Sequence, residues 1–160
     1  MERRLIVMRH ASSPHGDSDH ERPISDKGQR EAEEIAERLV EVGWIPQLVL
    51  SSDAARTRQT WEAMAPAFDP APPAEFKESL YLAGVDAIED ALTTTSDDIT
   101  DVLLLGHNPG WQSAVTYFSG RRERMMTANA ALLHGTGDDW PDAAGAGQFE
   151  LVQVLRPRTL

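Results

Sequence analysis

Two arginines and two histidines in this chain have the chemistry to hold and transfer a phosphoryl group: Arg9, His10, Arg56 and His107. A guanidinium is a planar fork that pairs with two phosphoryl oxygens. A neutral imidazole nitrogen can attack phosphorus. The four are scattered along the chain, but each follows a short apolar run. Leu5-Ile6-Val7-Met8 leads into Arg9-His10, and Leu48-Val49-Leu50 into Ser51-Ser52 with Arg56 just beyond. Val102-Leu103-Leu104-Leu105 leads into Gly106-His107-Asn108. In an open sheet of parallel strands, ligands bind at the carboxyl ends of the strands. If the three runs are parallel neighbours, the four side chains converge on one crevice.

Taken singly, each motif has a bland reading. Arg9-His10 could be an exposed pair. Ser52 with Arg56 could be a capped surface helix carrying an exposed arginine, and His107 could be a turn histidine between Gly106 and Pro109. In order, each after a strand, they point to one site. A helix N-terminus with a nearby arginine attracts anions, and glycine and proline around His107 favour a tight strand-to-helix turn.

The intervening sequence supplies the elements this requires. Residues 3–9 read as a buried strand, short and continuously apolar. Residues 11–24 read as a polar loop. Ser25 can cap a helix from Asp26, in which Ala32, Ile35, Ala36, Leu39 and Val40 recur with helical period before Gly43. Strand 47–50 precedes a helix over 53–67 with Thr57, Trp61, Met64 and Phe68 on one face. A short strand over 75–77, a helix over 85–92, strand 102–105 and a helix from near Pro109 follow. Strands over 130–133 and 149–155 flank a loose loop, 135–147. The rhythm predicts an α/β three-layer sandwich, a mostly parallel sheet with helices on both faces.

The chain has 160 residues and reads as one domain over 1–160, since Asp69-Pro70-Ala71-Pro72-Pro73 interrupts the rhythm without changing it. The formal net charge of −11 argues against nucleic acid or an anionic membrane as partner and makes clustered arginines stand out. With no cysteine, disulfides, thiolate metal sites and cysteine nucleophiles are excluded. The apolar run before Arg9 is too short for a signal or membrane segment, and the chain reads as cytoplasmic.

In these motifs the chain resembles the histidine phosphatase superfamily, also called phosphoglycerate mutase-like. The matching pieces are Leu5-Ile6-Val7-Met8-Arg9-His10-Ala11, Ser51 through Thr60, Leu105-Gly106-His107-Asn108-Pro109-Gly110, and Arg22 through Gly28. The small size, Glu78-Ser79-Leu80-Tyr81 and Gly-His-Asn-Pro resemble the SixA-type phosphohistidine phosphatase branch. Ala11 departs from the glycine usual there, and the smallest replacement should leave the turn intact.

The resemblance implies that His10 attacks the phosphoryl group and becomes a transient phosphohistidine, which water hydrolyses to inorganic phosphate. Arg9, Arg56 and His107 would clamp the oxygens, with His107 a cationic or hydrogen-bonding partner. Two arginines can do the work often given to magnesium, so no metal and no cofactor is called for. Glu78 lies near the position where larger relatives carry a general acid; it is either that acid or a solvated surface residue. The implied substrate is a phosphohistidine protein. The alternatives are a small phosphate ester and a non-catalytic phosphate-binding role.

Other features read as structural. His15, Asp17, Asp19 and His20 crowd one loop without a metal-ligand spacing, which favours a solvated loop. Arg121, Arg122 and Arg124 could guide an anionic protein substrate, but a solvated turn after a helix is the simpler reading. Trp44, Trp61, Trp111 and Trp140 read as packing residues.

Overall fold

The structure is a computed structural model and describes residues 1–16 and 18–158. The apolar runs are strands: β1 (Glu2–Arg9), β2 (Leu48–Ser52), β3 (Ala74–Lys77), β4 (Asp101–Gly106), β5 (Ala130–Thr136) and β6 (Glu150–Leu155). They form one sheet in the order β3-β2-β4-β1-β5-β6. β3, β2, β4 and β1 are parallel, and β5 runs antiparallel to both β1 and β6. The three strands that precede the predicted site residues are therefore adjacent, with β4 between β2 and β1.

Side chains alternate across the sheet, and this alternation builds two cores. Leu5, Val7, Val102 and Leu104 pack under α3 (Val85–Thr93), α4 (Gly110–Ser119) and the short α5 (Trp140–Ala143). Ile6, Met8, Leu103 and Leu105 pack under α1 (Asp26–Glu41) and α2 (Ala55–Met64). The result is the expected three-layer α/β sandwich. Among the described residues, no helix is long and apolar enough to cross a membrane.

The helices follow local rules with two adjustments. Ser25 caps α1, its Oγ accepting from the Gly28 N–H at 3.0 Å, and Ala32, Ile35, Ala36 and Leu39 are buried. Val40, expected on the same face, is exposed. α2 stops at Met64, and a 3-10 turn over Ala65–Ala67 replaces its expected last turn. Pro66 there has no N–H to continue the α-helical ladder.

The 135–147 segment is more ordered than its composition suggests. It contains α5, whose Trp140 is buried and lies 5.2 Å from the Arg3 guanidinium. Arg3 is itself fully buried, donating to the carbonyls of Asp97, Ile99, Gly137 and Asp138. These bonds tie the loop to the end of the sheet opposite the site. Trp61 and Trp111 are core residues, and Trp44 stacks on the Arg4 guanidinium.

Candidate active site

Strand register brings the site together. Arg9 pairs with Gly106 across β1 and β4, and Ser51 with Leu105 across β2 and β4. The His10 N–H then donates to the Gly106 carbonyl at 3.0 Å. His10, Ser52 and His107 thus leave the same sheet edge together. Gly106 is required by close packing: a Cβ there would lie 2.3 Å from the Trp111 ring. That ring is held in place by its Nε1–H, which donates to the Leu104 carbonyl at 3.2 Å.

His10 is buried, and its Nδ1 lies 2.7 Å from the Ala11 carbonyl. A carbonyl only accepts, so Nδ1 carries the proton and Nε2 carries the lone pair. Nε2 bonds to none of the described residues and is not a fully buried atom. Burial, reinforced by Arg56 and Arg9, pushes the His10 pKa down to about 4. The ring is therefore neutral at pH 7, as a nucleophile must be. Ala11 does not have a positive φ, so the residue needs no glycine there. Its N–H donates to Thr60 Oγ1 at 3.0 Å.

The His107 ring lies 5.5 Å from that of His10. Its Nε2 is 2.8 Å from Ser52 Oγ, which accepts the Ala54 N–H. The Ser52 hydroxyl hydrogen is free to point at Nε2, and in that tautomer the ring proton sits on Nδ1. Burial first, then the Arg56 charge, lowers the His107 pKa to about 3. Of the two roles considered for it, the hydrogen-bonding one fits the ring in this state. A phosphoryl dianion alongside would draw that pKa upward.

Arg9 Nη1 donates to the Met125 carbonyl at 3.2 Å, and Arg56 is 2% exposed. Burial and the neighbouring Arg56 charge lower the Arg9 pKa. Among the described residues, the fully buried side-chain polar atoms without a hydrogen-bond partner are Arg9 Nε, Arg56 Nε and His107 Nδ1. All three belong to the predicted cluster; the two arginine atoms are N–H donors, and so is His107 Nδ1 in the tautomer that accepts from Ser52. Leaving such a group unpaired costs roughly 1–3 kcal/mol, and an oxyanion would satisfy several at once.

Some residues have a different place from the one their spacing suggests. Ser52 does not cap α2, whose N-cap is Ala54. It is a fully buried partner of His107 instead. Asp19, read as part of a solvated loop, accepts from Arg56 through both its carbonyl, at 2.6 Å, and its carboxylate, at 3.2 Å. Tyr81 donates to the same carboxylate and sets its ring against His107. That hydrogen bond, with Arg56 adding to it, holds the Asp19 pKa at about 2. His20 bonds Asp53 instead, and Asp17 lies outside the described residues. Glu78 is exposed, and its carboxylate bonds to none of the described residues.

Sequence patterning did not single out Glu31, which is buried and accepts from the Ser12 N–H and hydroxyl, holding the chain just after His10. Its spacing offered a signal: it lies one helical turn before Ile35 on the buried stripe of α1. The roles of Asp19 and Tyr81 left no such signal, because they meet across 62 positions.

Comparison with known proteins gives the family and the fold. The profile of the histidine phosphatase superfamily (branch 1) matches residues 5–99. An uncharacterized chloroplastic protein of Arabidopsis thaliana is 38% identical, over 97% of this chain and 78% of its own length. The structure assigned as phosphohistidine phosphatase SixA of Nakamurella multipartitia superposes with a TM-score of 0.87 at 28% identity, covering 99% of this chain and 98% of that one. The corresponding assigned SixA structure of Agrobacterium tumefaciens gives 0.83 at 25% identity, over 97% and 98% of the two chains. The chain belongs to the histidine phosphatase superfamily, and its fold is similar to that of these SixA structures.

Proposed function

We propose that the protein is a phosphatase acting through a phosphohistidine on His10, and that its substrate is a phosphorylated histidine in another protein. The observation that carries this is the set of buried, unpartnered donors Arg9 Nε, Arg56 Nε and His107 Nδ1 beside a neutral imidazole. The Nε2 lone pair of His10 attacks phosphorus. The substrate's P–N bond breaks, and its electron pair stays on the departing ring nitrogen. A phosphohistidine protonated on its other ring nitrogen leaves as neutral imidazole, so no acid has to donate a proton. Water then adds to phosphorus, the P–Nε2 bond returns its pair to His10, and inorganic phosphate leaves while a water proton passes to solvent. Arg9, Arg56 and His107 stabilise the charge on the equatorial oxygens in both steps, and no step calls for a metal. Asp19 must yield Arg56 as the phosphoryl group arrives.

The substrate class is supported by what surrounds the clamp. Asp19 is ionised at neutral pH and Glu78 is not bonded into the cluster, so among the described residues no carboxylic acid contacts the clamp to protonate a poor alkoxide leaving group. The likeness to the two SixA structures points the same way. A cysteine-free chain suits a reducing compartment, and we place the protein in the cytoplasm.

The test combines trapping with a substrate panel. Acid-labile phosphate should appear on His10 during turnover and be lost in His10→Ala together with activity. Glu78→Gln should leave phosphohistidine hydrolysis within about twofold, whereas a positioned acid would be worth roughly 10²–10⁴-fold. Turnover surviving in His10→Ala overturns the mechanism. A wild-type preference for alkyl phosphates that Glu78→Gln removes would make the protein a small-ester phosphatase. Binding of phosphate without any trapped intermediate or turnover would leave it a binding module.

A further inference from the structure

The segment between α4 and β5 forms one wall of the site and turns an unusual surface outward. Its Met125 carbonyl accepts from Arg9 Nη1 at 3.2 Å and from Asn108 Nδ2 at 2.7 Å, and its Met125 N–H donates to Gln112 at 2.8 Å. Just before Met125 stand Arg121, Arg122 and Arg124, all exposed. Their side chains make no hydrogen bond or ion pair with any described residue, whereas the acidic residue among them, Glu123, is engaged by Arg156 at 3.1 Å. A groove of about 600 Å³ runs here, lined by Gln112, Ser113, Thr116, Arg122, Glu123 and Arg124. In a chain of net charge −11, acidic groups are plentiful, yet these arginines have no side-chain partner among the described residues beside the clamp.

We propose that this groove docks an acidic stretch of the protein that carries the phosphorylated histidine, close in sequence to that histidine. The inference rests on the phosphohistidine reading above. Arg124 adjoins the residue that bonds Arg9, so a peptide entering the clamp needs only a few extended residues, each spanning about 3.3–3.6 Å, to reach the groove. Exposed guanidinium groups contribute modestly one by one, but they steer an acidic partner and disfavour a basic one. The groove therefore sets which phosphohistidines are processed, while the clamp does the chemistry.

The experiment compares phosphohistidine peptides of equal length with aspartate-rich, neutral and lysine-rich flanks, using wild type, Arg122→Gln/Arg124→Gln and Arg122→Glu/Arg124→Glu. Wild type should favour the acidic flank, by roughly three- to thirtyfold in kcat/KM at low salt. The advantage should lie mostly in KM and shrink as salt rises. The glutamine variant should lose that preference, and the glutamate variant should turn toward the lysine flank. Neither should change hydrolysis of p-nitrophenyl phosphate, which shows that the clamp is intact. Equal rates on all flanks in wild type overturn the docking proposal and leave the phosphohistidine reading standing. Failure on every phosphohistidine peptide with hydrolysis of the small ester overturns that reading, and the docking proposal with it.

Discussion

At His10, identity and environment act together. Arginine and histidine at the end of an apolar run name a chemistry, but the Nδ1 bond to the Ala11 carbonyl and the burial of the ring keep it neutral with a free Nε2 lone pair, the form the proposed attack needs. Ser52 plays the matching part for His107. Removing its hydroxyl leaves a buried imidazole nitrogen without a partner, a cost of about 1–3 kcal/mol. Ser52→Ala should lower kcat/KM by roughly ten- to hundredfold and also lower the melting temperature by a few degrees, because the buried Ala54 N–H loses its acceptor as well. Ser52→Thr, which keeps the hydroxyl, should recover much of the loss. Unchanged kinetics in Ser52→Ala would show that His107 needs no orienting partner. Arg9, His10, Arg56 and His107 were legible in the sequence because chemistry and motif order mark them. Ser52 was read as a helix cap because spacing reports the chain's local path, and its bond to His107 spans 55 positions.

Among the elements, the β4-to-α4 turn has the least freedom. Gly106 leaves the sheet, His107 enters the site, and Trp111 folds back onto the glycine. A methyl group at position 106 collides with the indole, and overpacking of this kind costs roughly 1–3 kcal/mol. Gly106→Ala should therefore lower the melting temperature by several degrees and reduce turnover, since the ring and His107 share one short turn. Thermal melts and kcat on the same preparation check this, and an unaltered melt would mean that Trp111 has room to move. Element positions were mostly readable from the sequence. Apolar periodicity and the Ser25 cap located β1, α1 and β4 to within a residue or two. The misreadings, Val40 inside and α2 running past Pro66, arose where one turn of helix more or less depends on what packs against it.

Across the whole molecule, the site has a cost that depends on pH. His10 and His107 titrate near 4 and 3 in the folded chain, both lowered from 6.5 chiefly by burial. The unfolded chain binds more protons between those values, so stability rises with pH there. Their contribution is whole above pH 6.5 and is lost as pH falls through that value toward 4 and then 3. Asp19 acts lower: its contribution is present above 3.8 and lost as pH falls toward about 2. Urea titrations from pH 7 to 4.5 should thus show falling stability with uptake of nearly two protons on unfolding at the acid end, and His10→Asn/His107→Asn should flatten that slope. A wild-type slope identical to the variant's would mean that these rings are not kept neutral by the fold.

The chain on its own determined which stretches are strands and helices, which faces are apolar and which side chains can handle a phosphoryl group. Those properties reside in near-neighbour spacing and in the chemistry of each residue. Only the tertiary structure decided that β4 lies between β2 and β1, that Ser52 meets His107, that Arg56 and Tyr81 meet on Asp19, and that Arg3 anchors the far end of the sheet. Each of these is a pairing between distant segments. Its free energy comes from burial and from the exclusion of water, neither of which exists until the layers have packed.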